Sequence, residues 1–318
     1  MANERLKKAL KTTAKIAVSI VALWLVFSRI DFNETISLVR NAEYSYLLVG
    51  LFLYVISQLF SSERVWGVLR NVPVEISQLV NLRLYWLGMF YNFFLPGGVG
   101  GDGYKVYWIH KRHQTSYKKL VAALLTDRIS GLVAICVYTV AYMALRSGIL
   151  TGFGIDESLQ HWLLLCIPVG IGLYALAVWF IDKNLVLAGQ MALLKSVVIQ
   201  GLQMATALSI LLALGEDMAQ MPDYLFLFLL SSIASAVPIA FGGAGSRELT
   251  FLYGSEYVGV HSATAVTLSL LFYLTSLVSS LPGIVFAVRT DLIDGKHVSP
   301  PEVTPDLADA FEKANEQQ

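Results

Sequence analysis

The chain has 318 residues, of which 56% are hydrophobic and only 14% are charged, and its mean hydropathy is +0.61. Soluble domains carry about 25% charged residues, so this composition, with its several long apolar runs, excludes an ordinary soluble domain and predicts a polytopic helical membrane protein. The formal net charge is zero, so the overall charge gives no indication that the protein binds nucleic acid.

The N-terminal segment is predicted to be an uncleaved membrane helix. Basic residues in the first fifteen positions precede an apolar run over 16–27, and no small-x-small cleavage site follows. We therefore predict a first helix at about 13–30 with a cytoplasmic N-terminus. A second helix is predicted at about 44–61, followed on the cytoplasmic side by Glu63 and Arg64, which are expected to snorkel or to form structural ion pairs.

The third apolar run, at about 77–95, ends in a helix-breaking stretch, Pro96–Gly103. Five glycines in eight residues behind a proline cannot continue a helix. The same spacing, P-x-x-x-G-G-x-G, returns at 238–245, and in both copies a basic residue follows the proline by nine positions, Lys105 and Arg247. The repetition predicts two related broken helices.

The charges that follow the first break decide its predicted topology. If the run 77–95 crossed the membrane, five lysines and arginines between 105 and 119 would face outward, against the positive-inside rule. A re-entrant hairpin that enters and returns on the cytoplasmic side removes this conflict. Eight full spans with the same termini remain the alternative.

The remaining apolar runs complete the predicted fold. They predict helices at about 119–145, 160–181, 192–214 and 263–288, and a second hairpin formed by the run 222–237 and residues 246–260. The predicted fold class is therefore an all-α polytopic membrane protein with about six full spans plus two re-entrant broken helices in an inverted repeat, an architecture typical of transporters.

The predicted domain organisation is one transmembrane domain and a tail. The transmembrane domain covers 1–290, with half-repeats at about 44–146 and 190–289, and 291–318 is expected to be a disordered polar tail in the cytoplasm. Both cysteines, Cys136 and Cys166, lie inside apolar runs and are predicted to be small packed hydrophobic residues.

The two breaks are candidate anion sites. A half-helix that starts at membrane depth presents free N–H groups and the positive end of its dipole, and glycine lets an anion approach the backbone closely. Pro96 and Pro238 are expected to act only as helix breaks. The alternative is a purely structural role, in which glycine and proline only allow close helix crossings. The residues expected to bind a lipid phosphate are Gly98, Gly100, Gly101, Lys105, Arg128, Gly242, Gly243, Gly245, Arg247 and Glu248.

Three segments of the chain resemble one known family. They are Asn92–Asp102 (NFFLPGGVGGD), the pair Asp127-Arg128, and Gly242–Glu248 (GGAGSRE) after Pro238. They are similar to the flippase-like transmembrane region of lysylphosphatidylglycerol synthases, over roughly residues 10–290. The resemblance implies an inner-membrane protein that moves a phospholipid, or a lipid-linked polar headgroup, between leaflets.

The resemblance also sets limits on what is expected. Bifunctional members carry a soluble aminoacyl-transferase domain after the membrane region, whereas this sequence has only a short tail there, so the synthase activity is not expected. The second break departs from the family pattern, because Ile239 and Ala240 follow Pro238 where relatives have P-G-G directly. We therefore expect that break to bind an anion less tightly.

Lipid translocation is the leading hypothesis, with both termini in the cytoplasm. No catalytic residue, metal or cofactor is predicted, and the protein is not expected to be an enzyme. The first alternative is a membrane enzyme acting on a lipid carrier, whose candidate acidic groups would be Asp102, Asp127 and Glu248. The second is a scaffold that recruits lipid-modifying or glycosyltransferase partners without transporting lipid. Homo-oligomerisation is left open.

Overall fold

The computed structural model describes residues 32–94, 100–146, 162–236 and 246–294, and every regular element within these ranges is helical. The predicted class, an all-α multi-pass membrane protein, is confirmed. The predicted first helix, most of both breaks and the tail beyond 294 lie outside the described residues.

The described ranges contain twelve α-helices. They are α1 (Phe32–Asn41), α2 (Tyr44–Leu69), α3 (Gln78–Phe94), α4 (Gly100–His113), α5 (Tyr117–Leu145), α6 (Cys166–Ile181), α7 (Val186–Ala213), α8 (Met221–Ala236), α9 (Ser246–Val258), α10 (Ser262–Ser280), α11 (Gly283–Val288) and α12 (Asp291–Asp294).

Five segments in the described part of the chain are long and apolar enough to cross a membrane: those containing α2, α5, α6, α7 and α10. The arms that lead into the two breaks are shorter, with 17 residues in α3 and 16 in α8. The helices after the breaks, α4 and α9, have 14 and 13 residues. A span needs about 20 residues, with a range of about 17–25, so α4, α8 and α9 as described are too short to cross alone.

The helices of the two sequence halves correspond in order and in length. α2 and α7 have 26 and 28 residues and pack along each other, while α3 and α4 correspond to α8 and α9. The 29 residues of α5 correspond to α10 followed by α11. This order is the one expected of an internal repeat, and the repeat itself stays a prediction.

α2 is longer than the sequence analysis predicted. It continues to Leu69 instead of ending near residue 61, so Glu63 and Arg64 lie inside the helix. Their charges are compensated by other helices, Glu63 by Lys195 of α7 and Arg64 by Asp127 of α5. Both residues form ion pairs, one of the two roles expected for them.

Two further expectations differ from the structure. The last predicted helix is divided into α10 and α11 at Leu281 and Pro282, because proline has no N–H to donate within a helix. Cys136 and Cys166 are free but exposed, so the prediction that they pack inside the protein is wrong. An exposed apolar face on a membrane helix contacts lipid, and hydropathy alone does not distinguish that face from the core.

α3 is held between two glycine contacts. A Cβ added at Gly101 of α4 would overlap the backbone of Gly88 in α3, and a Cβ added at Gly283 of α11 would overlap the carbonyl group of Trp86. The indole of Trp86 also donates a hydrogen bond to the Ser279 carbonyl, at 3.0 Å. These contacts fix α3 between the helix after the break and the end of α10.

Replacing Gly101 with Ala is expected to destabilise the protein by about 1–3 kcal/mol, because backbone atoms in α3 must move to admit the methyl group. Thermal unfolding of the purified protein in detergent measures the effect. Gly172→Ala is the matched control, since a Cβ there meets nothing within 4 Å. Equal melting temperatures for the two variants would refute the close contact.

Candidate functional site

A cavity of about 180 Å³ lies between α2, α3, α4 and α5, at the point where α4 begins. Three cationic side chains and two carboxylates line it, so the lining carries a formal charge of +1. The lining residues are Arg64, Val65, Tyr85, Gly88, Met89, Asn92, Asp102, Lys105, Asp127 and Arg128.

The start of α4 is held by a side chain of α3. The amide N–H of Gly101 donates to Oδ1 of Asn92 at 2.9 Å, which satisfies one of the free N–H groups of the helix start. Gly101 was expected to offer this amide to a phosphate, and in this structure it is bound to Asn92 instead. Asn92 belongs to the family-like motif, but its place in the sequence alone indicates no role for it.

The first charged cluster joins α4 to α5. Arg128 Nε donates to Asp102 Oδ2 at 2.5 Å, and Lys105 Nζ lies 3.7 Å from Asp102 Oδ1. The Lys105 side chain is only 3% exposed, whereas that of Arg128 is 47% exposed. Lys105 Nζ also lies 5.1 Å from the centroid of the Tyr85 ring, a favourable cation–π distance. The structure therefore brings the two predicted cations of the first half into one cavity.

The second charged cluster is a bidentate ion pair. Arg64 donates from Nε and Nη2 to the two carboxylate oxygens of Asp127, at 2.8 and 2.9 Å. Its Nη1 donates to Ser196 of α7 at 2.7 Å. Both charged side chains are largely buried, at 12% and 8% exposure. Hydrogen-bonded pairs of this kind are the form in which charge is tolerated inside a protein.

Asp127 and Arg128 are neighbours in sequence but have different partners. Successive residues of a helix point in different directions, so Asp127 binds Arg64 of α2 whereas Arg128 binds Asp102 of α4. The sequence singles out the pair but not its partners. No local signal identifies them, because both partners come from other helices.

Arg247 lies apart from the cavity, among aromatic rings. Its guanidinium carbon is 4.6 Å from the centroid of Phe272 and 5.2 Å from that of Phe228. Among the described residues, its Nε and Nη2 atoms are buried without a hydrogen-bond partner. Glu248 is buried beside it and accepts a hydrogen bond from Ser269 at 3.3 Å. Arg247 does not line the cavity that contains Lys105 and Arg128.

Lys105 and Arg247 nevertheless have corresponding surroundings. Each lies in the helix after a break and over an aromatic ring from the arm before it, Tyr85 of α3 in one case and Phe228 of α8 in the other. The other predicted site residues, Gly98, Gly242, Gly243 and Gly245, lie outside the described residues, as do Pro96 and Pro238. Gly100 is the first residue of α4.

A row of buried polar side chains on α2 connects the two regions. At one end Tyr54 hydrogen-bonds Ser276 of α10 at 2.7 Å, and the Tyr54 ring packs edge-on against Phe272. In the middle, Tyr85 donates to Gln58 at 2.9 Å. Placing polar groups inside a membrane costs free energy, and such groups commonly mark the pathway of a substrate or an ion. The buried members of the row on α2 are Ser57, Gln58, Ser61 and Ser62.

The acidic residues considered for an enzyme each have a partner. Asp102 and Asp127 bind arginines, and Glu248 binds Ser269. Among the described residues, no three His, Cys, Asp or Glu side chains come together in a group that could hold a metal ion.

The family model described as the lysylphosphatidylglycerol synthase TM region matches residues 12–283. A UPF0104 membrane protein of Pyrococcus horikoshii is 27% identical over 135 residues, which is 42% of this chain and 39% of that protein. The chain thus aligns with well under half of that relative. The family match covers nearly all of the membrane region and agrees with the resemblance of the glycine-rich breaks. The chain belongs to the family of the lysylphosphatidylglycerol synthase transmembrane region.

Proposed function

We propose that this multi-pass membrane protein is a lipid translocase of the inner membrane. In this proposal the phosphate of a phospholipid, or of a lipid-linked headgroup, binds in the cavity beside Lys105 and Arg128. The observation that carries the proposal is the almost complete burial of Lys105 in a cavity of net positive charge at the start of a broken helix. The family match supports a lipid as the substrate.

Electrostatics favours an anion in this cavity. A buried ammonium group is costly unless it is paired, and Asp102 is shared between Lys105 and Arg128. One carboxylate thus faces two cations, and the positive end of the α4 dipole points to the same place. A phosphodiester, which carries one negative charge, would bind favourably beside these two cations. The lipid tails would remain in the bilayer.

The row of polar side chains on α2 suggests the path of the headgroup. It leads from the cavity in the first half to the Arg247 cluster in the second half. Movement of the two halves relative to each other would expose the headgroup first to one leaflet and then to the other, as in other inverted-repeat transporters. The Arg64–Asp127 pair would hold α2 to α5 during this movement.

Reconstitution of the purified protein tests the proposal. Liposomes of phosphatidylcholine would contain fluorescent phosphatidylglycerol, phosphatidylethanolamine or phosphatidylcholine, and dithionite quenching would report movement between leaflets. We expect faster movement than in protein-free liposomes for at least one of these phosphodiester lipids. Equal rates with and without protein for all three headgroups would rule out the proposal.

The proposed topology makes a separate prediction. With Cys136 and Cys166 replaced by Ser, Lys111→Cys should react with an impermeant maleimide only from the cytoplasmic side, because the re-entrant hairpin returns its basic end there. Met218→Cys, an exposed position between α7 and α8, should react only from the outside. In the eight-span alternative, Lys111→Cys would react only from the outside and Met218→Cys only from the cytoplasmic side.

A further inference from the structure

We propose that Asp102 is an internal competitor of the transported phosphate. Its carboxylate pairs with the cations of the cavity when no lipid is bound, and a phosphate must displace that carboxylate in order to bind. This inference rests on the proposed function, because it assigns a role at the same site. It concerns a carboxylate for which the sequence predicted no part in binding.

The geometry gives Asp102 the place that an anionic ligand would take. Its two oxygens face two different cations, Arg128 Nε at 2.5 Å and Lys105 Nζ at 3.7 Å. These cations come from different helices, α5 and α4, and all three side chains line the cavity. The carboxylate therefore bridges the cavity much as a phosphate oxygen pair would.

The other carboxylate of the cavity cannot take this role. Both oxygens of Asp127 bind Arg64, which is held in turn by Ser196. That pair is buried on both sides, whereas the Asp102 side chain is 23% exposed. Asp102 can therefore turn toward a polar environment when another anion arrives, while Asp127 would leave a buried arginine unpaired.

The two contacts of Asp102 are unequal, which favours exchange. The 3.7 Å distance between Lys105 Nζ and Asp102 Oδ1 is longer than a hydrogen bond. Asp102 therefore interacts more weakly with Lys105, the most buried cation, than with Arg128. A phosphate oxygen can approach Lys105 more closely while Arg128, at 47% exposure, adjusts at the mouth. When the phosphate leaves, Asp102 returns to both cations. Asp102 therefore lowers the affinity of the cavity for phosphate and speeds the release of phosphate.

The second half of the sequence has no equivalent carboxylate. The position that corresponds to Asp102 after the second proline is Ala244, at the same offset that relates Lys105 to Arg247. The carboxylate beside Arg247 is instead Glu248, which accepts a hydrogen bond from Ser269, so a carboxylate at the Asp102 offset is a property of the first half alone. It gives the two halves different affinities for the same headgroup.

Binding of defined anions to the full chain in detergent tests the inference. The probes are dihexanoyl-phosphatidylglycerol and inorganic phosphate, titrated by calorimetry into wild-type protein, Asp102→Asn and Asp102→Glu. Removing the competing charge should lower the Kd for the lipid probe about tenfold in Asp102→Asn, whereas Asp102→Glu, which keeps the charge, should bind like wild type. A comparable gain for inorganic phosphate alone would identify free phosphate as the ligand and rule out a lipid headgroup.

Transport in liposomes supplies a readout that a structural role would not change in this way. Asp102→Asn should lower the lipid concentration needed for half-maximal rate and also lower the maximal rate, because release becomes slower. Asp102→Ser, a second neutral variant, should behave in the same way. If the wild type binds and transports lipid but neither neutral variant binds it more tightly, the inference is wrong and the proposed function stands.

Two other outcomes also decide the matter. If the wild type neither binds the lipid probe nor accelerates lipid movement, the proposed function fails and the inference fails with it. If both neutral variants fail to fold while Asp102→Glu folds, as judged by melting in detergent, Asp102 is a structural ion-pair partner and the inference is overturned.

Discussion

Replacing Asp127 with Ala is expected to destabilise the protein by roughly 3–5 kcal/mol, the typical effect of removing one partner of a buried ion pair. Arg64 would lose both of its charge-assisted hydrogen bonds to the carboxylate and would remain buried with Ser196 as its partner. The pair joins α2 to α5, so its loss should loosen the wall of the cavity. Equilibrium unfolding in mixed detergent and SDS micelles would measure the change.

A more exposed ion pair that also involves α2 provides the control. Glu63 binds Lys195 at 2.7 Å, and the two side chains are 36% and 28% exposed. Glu63→Ala should therefore cost less than about 1 kcal/mol. The double variant Arg64→Met with Asp127→Leu should recover most of the stability, because no buried charge is left unpaired. If Glu63→Ala and Asp127→Ala lowered the free energy of unfolding by similar amounts, the difference in burial between the two ion pairs would be contradicted.

Replacing Lys105 with Met is expected to reduce lipid transport by roughly tenfold to a hundredfold. A hydrogen bond to a charged group contributes about 1.5–3 kcal/mol, and this one would be made to the phosphate in the least exposed part of the cavity. The methionine side chain keeps the length and the apolar stem. Arg128 keeps its contact with Asp102, so the melting temperature should change little.

The matched control is Lys119→Met, the same substitution at an exposed lysine near the start of α5. It should transport like the wild type if the effect belongs to the cavity and not to the overall positive charge of this segment. Equal losses in the two variants would point to surface charge, and an unchanged rate for Lys105→Met would remove Lys105 from the phosphate site.

The sequence predicts the parts of this fold that depend on local pattern. The helix start near Gly101 is one example, since α4 begins at Gly100, whereas the expectation that Gly100–Gly103 belong to the helix break is wrong because they are helical. The 17-residue and 14-residue helices on its two sides follow from that break. Lys105 was also recognisable, since its offset from the proline repeats at Arg247.

Features that depend on packing between helices could not be predicted in this way. Arg64 and Asp127 are 63 residues apart, and their pairing depends on how α2 and α5 rotate about their axes. In a membrane the lipid-facing side is as apolar as the core, so hydrophobic periodicity does not fix that rotation. The same limit explains why the sequence, which groups Arg247 with Lys105 and Arg128 at one phosphate, does not show that Arg247 lies among aromatic rings outside their cavity.

The contact between Gly88 and Gly101 has a mechanical consequence. Because the two backbones touch without intervening side chains, α3 and α4 cannot slide or separate without losing that contact, and they form one rigid lever. The lever joins the rest of the protein through non-helical backbone at 70–77 and 114–116, where Gln114 has a φ of 54°. If the cavity opens as proposed, α3 and α4 therefore move together, and α11, which packs against Trp86 of α3, either moves with them or loses that contact.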